Sequence, residues 1–139
     1  MKRAAKVILP VLAVLVLAFI WGHSIVPMYA SEQESSFITE HIVAPIWRAL
    51  TGSGDVSDEV VRKIAHVVEY AALGFIATLC LSGKKALTVF SYCGCVALVD
   101  ETIQLISGRG DMVLDIWIDM AGVLPGVLLG SIIRRLRKK

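Results

Sequence analysis

Asp115-Ile116-Trp117-Ile118-Asp119-Met120-Ala121-Gly122-Val123-Leu124-Pro125-Gly126-Val127-Leu128-Leu129-Gly130 sets two carboxylates and three glycines in an otherwise apolar run. With Asp111, the acids repeat at i, i+4 and i+8, and Gly122, Gly126 and Gly130 continue at the same interval. At about 100° per residue the two sets interleave, so one helix face carries acids toward one end and glycines toward the other. Tandem G-x-x-x-G spacing lets membrane helices approach closely. If the glycines pack inward, the carboxylates turn inward too. The stretch therefore reads as a membrane span with part of a polar site on its packed face.

The rest of the chain agrees with a membrane class. Of 139 residues 56% are apolar, and the mean hydropathy is +0.72. A soluble domain of this size is nearer about 45–50% apolar. None of the twelve acids lies in residues 1–31, 70–99 or 120–139. Five of them, Glu69, Asp100, Glu101, Asp115 and Asp119, crowd the ends or interiors of apolar runs. A carboxylate held in hydrocarbon costs about 2.5–3.5 kcal/mol on insertion scales, so acids there need partners. Three cysteines without framework spacing argue against a disulfide scaffold. Cys80, Cys93 and Cys95 read as small apolar residues.

Four segments approach the roughly 20 residues that a bilayer core requires. They are residues 7–26, 60–81, 86–106 and 112–133. Trp21 reads as an interfacial anchor of the first, and Ser57 as an N-cap of the second, with Asp58 and Glu59 in its first turn. Lys2, Arg3, Lys6, Lys84, Lys85, Arg134, Arg135, Arg137, Lys138 and Lys139 fall on one side of this arrangement. The positive-inside rule puts that side and both termini in the cytoplasm. The expected fold is an all-α integral membrane protein of four transmembrane helices, N-in and C-in, forming a single domain over residues 1–139. A competing reading makes the first span a cleavable signal peptide ending at Ala30, for which Pro27 and Met28 are poor residues.

Residues 27–58 form a long outer loop. Ser35 and Ser36 could cap a short helix carrying Phe37, Ile38, Ile42, Ile46, Trp47 and Leu50 at a spacing near the helical period. Pro45 would kink it. The pattern predicts an interfacial helix on the outer leaflet, anchored by Trp47. Covering filler is the plainer role and a lid over the site the functional one. Thr51-Gly52-Ser53-Gly54 reads as a flexible link into the second span.

The polar layer gathers from three spans. Arg62, His66, Glu69 and Tyr70 form one stripe on the second, with Lys63 beside it. Asp100 and Gln104 share a face of the third, with Glu101 a quarter turn away. At about 1.5 Å per residue, Glu69, Asp100 and Asp119 reach similar depth. Six acids, counting Asp111, then oppose Arg62, Lys63 and Arg109, a surplus of three negative charges if all ionise. Protonation, a bound cation or a cationic ligand would relieve it.

Plainer alternatives stand beside the functional ones. His66 serves equally as a helix-contact residue, and the whole layer as a hydrogen-bonded, ion-paired cluster holding helices together. No cofactor is expected. A divalent metal on His66, Glu69, Asp100 and Asp115 is the alternative, since imidazole and carboxylates suit zinc or manganese. No P-loop, G-x-S-x-G, zinc-finger or nucleic-acid motif occurs, so nucleic acid is not an expected partner. Topology and contact with anionic lipid explain the basic tail.

At these positions the chain resembles the VanZ-like membrane family. The matching elements are Lys63-Ile64-Ala65-His66-Val67-Val68-Glu69-Tyr70, Asp100-Glu101-Thr102-Ile103-Gln104, Gly108-Arg109, and Asp115-Ile116-Trp117-Ile118-Asp119-Met120-Ala121-Gly122 with Gly126 beyond. They run in family order over about residues 60–130. The resemblance implies a small polytopic protein of the bacterial cytoplasmic membrane. The family is named for a member linked to resistance against teicoplanin, a glycopeptide antibiotic bearing a fatty acyl chain. It implies a candidate site of His66, Glu69, Asp100, Glu101, Gln104, Arg109 and Asp115. Asp119 departs from the asparagine usual in the family.

Three function classes follow as expectations. The first is a non-enzymatic envelope module that binds an amphiphile, either a lipid-linked cell-wall precursor or a lipoglycopeptide, from the outer leaflet. An intramembrane acid/base or metal-dependent enzyme acting on a lipid-linked substrate is the second. A proton- or cation-coupled carrier is the third, and four short spans would need an oligomer for it.

Overall fold

Ser57 starts the second long helix. Its Oγ accepts a hydrogen bond from the Val60 backbone N–H at 3.3 Å, and Asp58 and Glu59 occupy the first turn. A side-chain cap and acids at a helix N-terminus satisfy exposed N–H groups and oppose the helix dipole. The computed structural model describes residues 2–52, 56–109 and 113–137. Its helices are α1 (Lys2–Ser24), α2 (Met28–Ile38), α3 (Ala44–Thr51), α4 (Asp58–Cys80), α5 (Ala86–Ile106) and α6 (Val113–Leu136). A π-helical turn, Thr39–Val43, joins α2 to α3. Asp111, Met112, Ser53 and Gly54, which figured in the expected acid repeat, fourth span and link, lie outside the described residues.

Four helices are long and apolar enough to cross a membrane: Lys6–Ser24, Asp58–Cys80, Ala86–Ile106 and Leu114–Leu136. They agree with the four runs read from the sequence to within a few residues. Their outward faces carry Val11, Leu15, Phe19, Ile64, Val68, Leu98, Leu105, Leu124, Leu128 and Ile132, all exposed. In water this surface would be untenable, and in a bilayer it meets hydrocarbon.

α4 and α6 form the tightest pair, and they run parallel. Val67 faces Gly122, Ala71 faces Gly126 and Thr78 faces Gly130. A Cβ on Gly122 would lie 2.5 Å from the Val67 carbonyl oxygen, and one on Gly126 would collide with the Ala71 carbonyl oxygen. Gly74 answers from α4, with Val123 O 2.7 Å from where its Cβ would be. Only glycine lets the two backbones come this close. α5 packs against both, and α1 against α4 and α5. The buried core is Ile20, Tyr70, Leu73, Ala77, Val89, Cys93, Val96, Ala97, Val123 and Val127. Trp21 packs onto this core with its indole N–H buried and unpartnered.

This connectivity sorts the ends of the bundle. The N-termini of α4 and α6 and the C-termini of α1 and α5 share one end. The Lys84–Lys85 turn and the Arg134–Arg135 segment share the other.

Residues 28–51 depart from the expected capped short helix. Helix begins at Met28, and Ser35 and Ser36 lie inside it. Ser35 Oγ donates back to the Ser31 carbonyl at 2.8 Å, and Ser36 Oγ donates to Asp58 Oδ2 at 2.6 Å. Pro45 sits at the first turn of α3. The π-turn before it, where Ala44 N–H reaches the Thr39 carbonyl, delivers the proline to a position needing no N–H. Phe37, Ile42, Ile46, Trp47 and Leu50 are exposed.

Candidate functional site

Asp100 is one of two fully buried acids among the described residues. It projects from α5 with no solvent exposure. Ser24 Oγ, from the end of α1, donates to its Oδ1 at 2.5 Å, and Gln104 Nε2 donates to its Oδ2 at 3.0 Å. Asp100 and Gln104 lie four apart on one helix, so their side chains meet naturally. Gln104 Nε2 also lies 3.5 Å from Glu101 Oε1.

Asp119 enters from α6 and is equally buried. Neither of its oxygens receives a hydrogen bond. The nearest basic atom is His66 Nδ1 of α4, 3.4 Å from Oδ1, and the same nitrogen lies 4.0 Å from Asp100 Oδ2. One donor atom from each of His66, Asp100 and Asp119 lies within 4.8 Å of the others. Glu69, three residues beyond His66, sits apart from this triad. Its Oε1 is 3.9 Å from His23 Nδ1, and its Oε2 is buried without a partner. Tyr70 is wholly buried in the core, its hydroxyl unpartnered.

The three cations anticipated to balance these acids do something else. Arg109 donates to the His23 carbonyl oxygen at 3.1 Å and to Ser31 Oγ at 2.9 Å. Gly108, at φ +77°, turns the chain so that Arg109 N–H returns to the Gln104 carbonyl at 3.0 Å. A β-carbon would strain that backbone. Burial, followed by the neighbouring Arg62, lowers the Arg109 pKa, yet a guanidinium stays charged. Arg62 Nη1 reaches the Met28 sulfur at 3.3 Å. Lys63 pairs with Glu59 at 2.5 Å. Among the described residues, no Lys or Arg nitrogen lies within 4.0 Å of Glu69, Asp100 or Asp119.

A cavity of about 340 Å³ opens beside the triad. Arg62, Lys63, His66, Gln104, Arg109, Asp115 and Asp119 line it, with Glu59 and the apolar Met28, Leu114 and Ile118. Asp115 and Asp119, a turn apart on α6, thus both face it, whereas Asp100, Glu101 and Glu69 are not among its walls.

His23, Ser24 and Ser31 were not anticipated as site residues. Ser24 holds Asp100, Ser31 holds Arg109, and Ser107 Oγ donates to the Ser24 carbonyl at 2.9 Å. A signal existed: His23-Ser24 interrupts the first apolar run near its end. Ser31 offered none, because only the fold of α2 over the bundle brings it to Arg109.

A family model for VanZ/LLP1 matches residues 9–134. The chain belongs to the VanZ/LLP1 family. No curated protein and no solved structure matches it. The VanZ/LLP1 region takes in every residue of the triad, the cavity wall and the Gly122–Gly126–Gly130 ladder. It also takes in His23, Ser24 and Ser31.

Proposed function

We propose that this VanZ/LLP1 protein works in the bacterial cytoplasmic membrane as a non-enzymatic envelope module that holds the head of an amphiphile. Its termini lie in the cytoplasm by the positive-inside rule, which turns the cavity toward the outer leaflet. One observation carries the reading. The cavity joins cationic side chains that have no carboxylate within 4.0 Å among the described residues, Arg62 and Arg109, to an apolar wall of Met28, Leu114 and Ile118. Guanidinium groups left without acid partners suit phosphate or carboxylate, which they grip in a planar fork. The apolar wall suits the start of an acyl chain. The exposed apolar face of α2 and α3 suits an interfacial position beside the cavity mouth.

An anionic lipid-linked cell-wall precursor has these two parts, and a lipoglycopeptide presents the acyl part. Expression of the protein in a susceptible bacterium should raise tolerance to teicoplanin more than to vancomycin, which lacks the acyl chain. Equal protection against both drugs would remove the acyl-chain rationale. Glu69→Gln, Asp100→Asn and Arg109→Ala should each abolish the protection while the protein still inserts. Lipid mass spectrometry of gently purified protein should recover an anionic amphiphile that Arg62→Ala/Arg109→Ala no longer retains.

A further inference from the structure

We infer that His66, Asp100 and Asp119 form a divalent-cation site, of the zinc or manganese class, at the wall of the cavity. The inference concerns His66 and the two buried aspartates rather than Arg62 and Arg109, although His66 and Asp119 also line the same cavity, and it is tested by metal content rather than by amphiphile retention.

Two independent observations support it. The first is convergence: three helices each deliver one hard or borderline donor, all within 4.8 Å. Ligands about 2.1 Å from a tetrahedral zinc stand about 3.4 Å apart. His66 Nδ1 and Asp119 Oδ1 are 3.4 Å apart. His66 Nδ1 and Asp100 Oδ2, at 4.0 Å, need only a small carboxylate rotation to close. The second is the state of Asp119. Its carboxylate is wholly buried and neither oxygen accepts a hydrogen bond. His66 Nδ1, which faces it, is likewise buried without a hydrogen bond. The two stand 3.4 Å apart, an ion pair when the imidazole is protonated, and a cation between them would instead be held by both a carboxylate and a neutral imidazole. Burying them so without one carries a desolvation cost.

No Lys or Arg nitrogen comes within 4.0 Å of either aspartate among the described residues. Asp100 is oriented by Ser24 and Gln104, as ligating carboxylates are held by outer-shell hydrogen bonds. A His with two carboxylates suits zinc or manganese over calcium, which prefers six or more oxygens. Three protein ligands leave a coordination position free. Since His66 and Asp119 also line the cavity, that position opens toward it.

The test uses full-length protein in nanodiscs, purified without a histidine tag. After equilibration with Zn²⁺ or Mn²⁺ and removal of free ion, metal content should be about one per chain. His66→Ala and Asp119→Asn should each lower affinity by at least about tenfold, and Ser24→Ala by about 10–100-fold. His41→Ala, on the exposed π-turn, should bind like the parent. Metal content that does not differ between parent and Asp119→Asn, or none retained by the parent, overturns the site. Should Asp119→Asn fail to accumulate, the parent decides alone. Pulsed EPR of bound Mn²⁺ should detect a histidine ¹⁴N coupling that changes on ¹⁵N-histidine labelling. Mn²⁺ without that coupling overturns the assignment of His66.

Discussion

α4 and α6 meet in two ways along one parallel pair. Toward their C-termini the backbones touch through Gly122, Gly126, Gly130 and Gly74. Toward their N-termini they part around a cavity walled by Arg62, His66, Asp115 and Asp119. The first region is close-packed and free of charge. The second keeps buried polar atoms without partners, including both oxygens of Asp119. Packing of this kind supplies stability, whereas unsatisfied polar groups cost it. The contact at one end also sets the geometry at the other, because Asp119 precedes Gly122 by less than a helical turn.

The contrast can be broken most sharply at Gly126. Gly126→Leu forces a side chain into the Ala71 backbone and should cost about 4 kcal/mol or more, read as loss of folded protein in membranes. A folded, abundant Gly126→Leu variant would refute the packing account. Arg109→Ala removes the two hydrogen bonds that tie the turn after α5 to His23 and Ser31. It should cost about 1.5–3 kcal/mol and speed amide exchange over residues 20–31, with little change near Gly126. Asp119→Asn should do the opposite of the glycine variant. Measured in chelator, its unfolding free energy should stay level or rise by about 1–2 kcal/mol, because a buried carboxyl group without a hydrogen bond becomes a neutral amide of the same shape. A clear loss would make Asp119 structural.

Smaller effects sharpen the same comparison. Gly22 has nothing within 4 Å of where a Cβ would sit, so Gly22→Ala should stabilise α1 by about 0.5–1 kcal/mol. Glycine in this protein would then matter by position, not by type. Lys63→Ala removes an exposed i,i+4 pair with Glu59 and should leave stability unchanged, since such pairs are screened by water and salt. A measurable loss would mean that Lys63 supports the cavity wall.

Much of this was legible from spacing. Helical period placed Asp115 and Asp119 on the face of Gly122 and Gly126, and that face is the packed one. Ser57 with Asp58 and Glu59 announced the start of α4. Other features were not legible, because they depend on partners distant in sequence. Ser36 has the residue type of a cap, yet its hydroxyl finds Asp58. Arg109 has the charge to neutralise an acid, yet the turn at Gly108 directs it to a carbonyl and a serine. The ligand set read from the sequence took Glu69 and Asp115 with His66 and Asp100, and left Asp119 out. Only the angles at which α4, α5 and α6 meet bring Asp119, and not those two, into the triad with His66 and Asp100.

Amino-acid order alone determined the membrane class, the four helices and the inward-turning face of the last one. Hydrocarbon thickness and helical period act on each segment locally, and need no knowledge of its neighbours. Tertiary structure decided which ionisable groups share a space and, among the described residues, which cations lie away from acids. Those outcomes rest on ångström separations between side chains from different helices, and backbone contact at the glycines sets them.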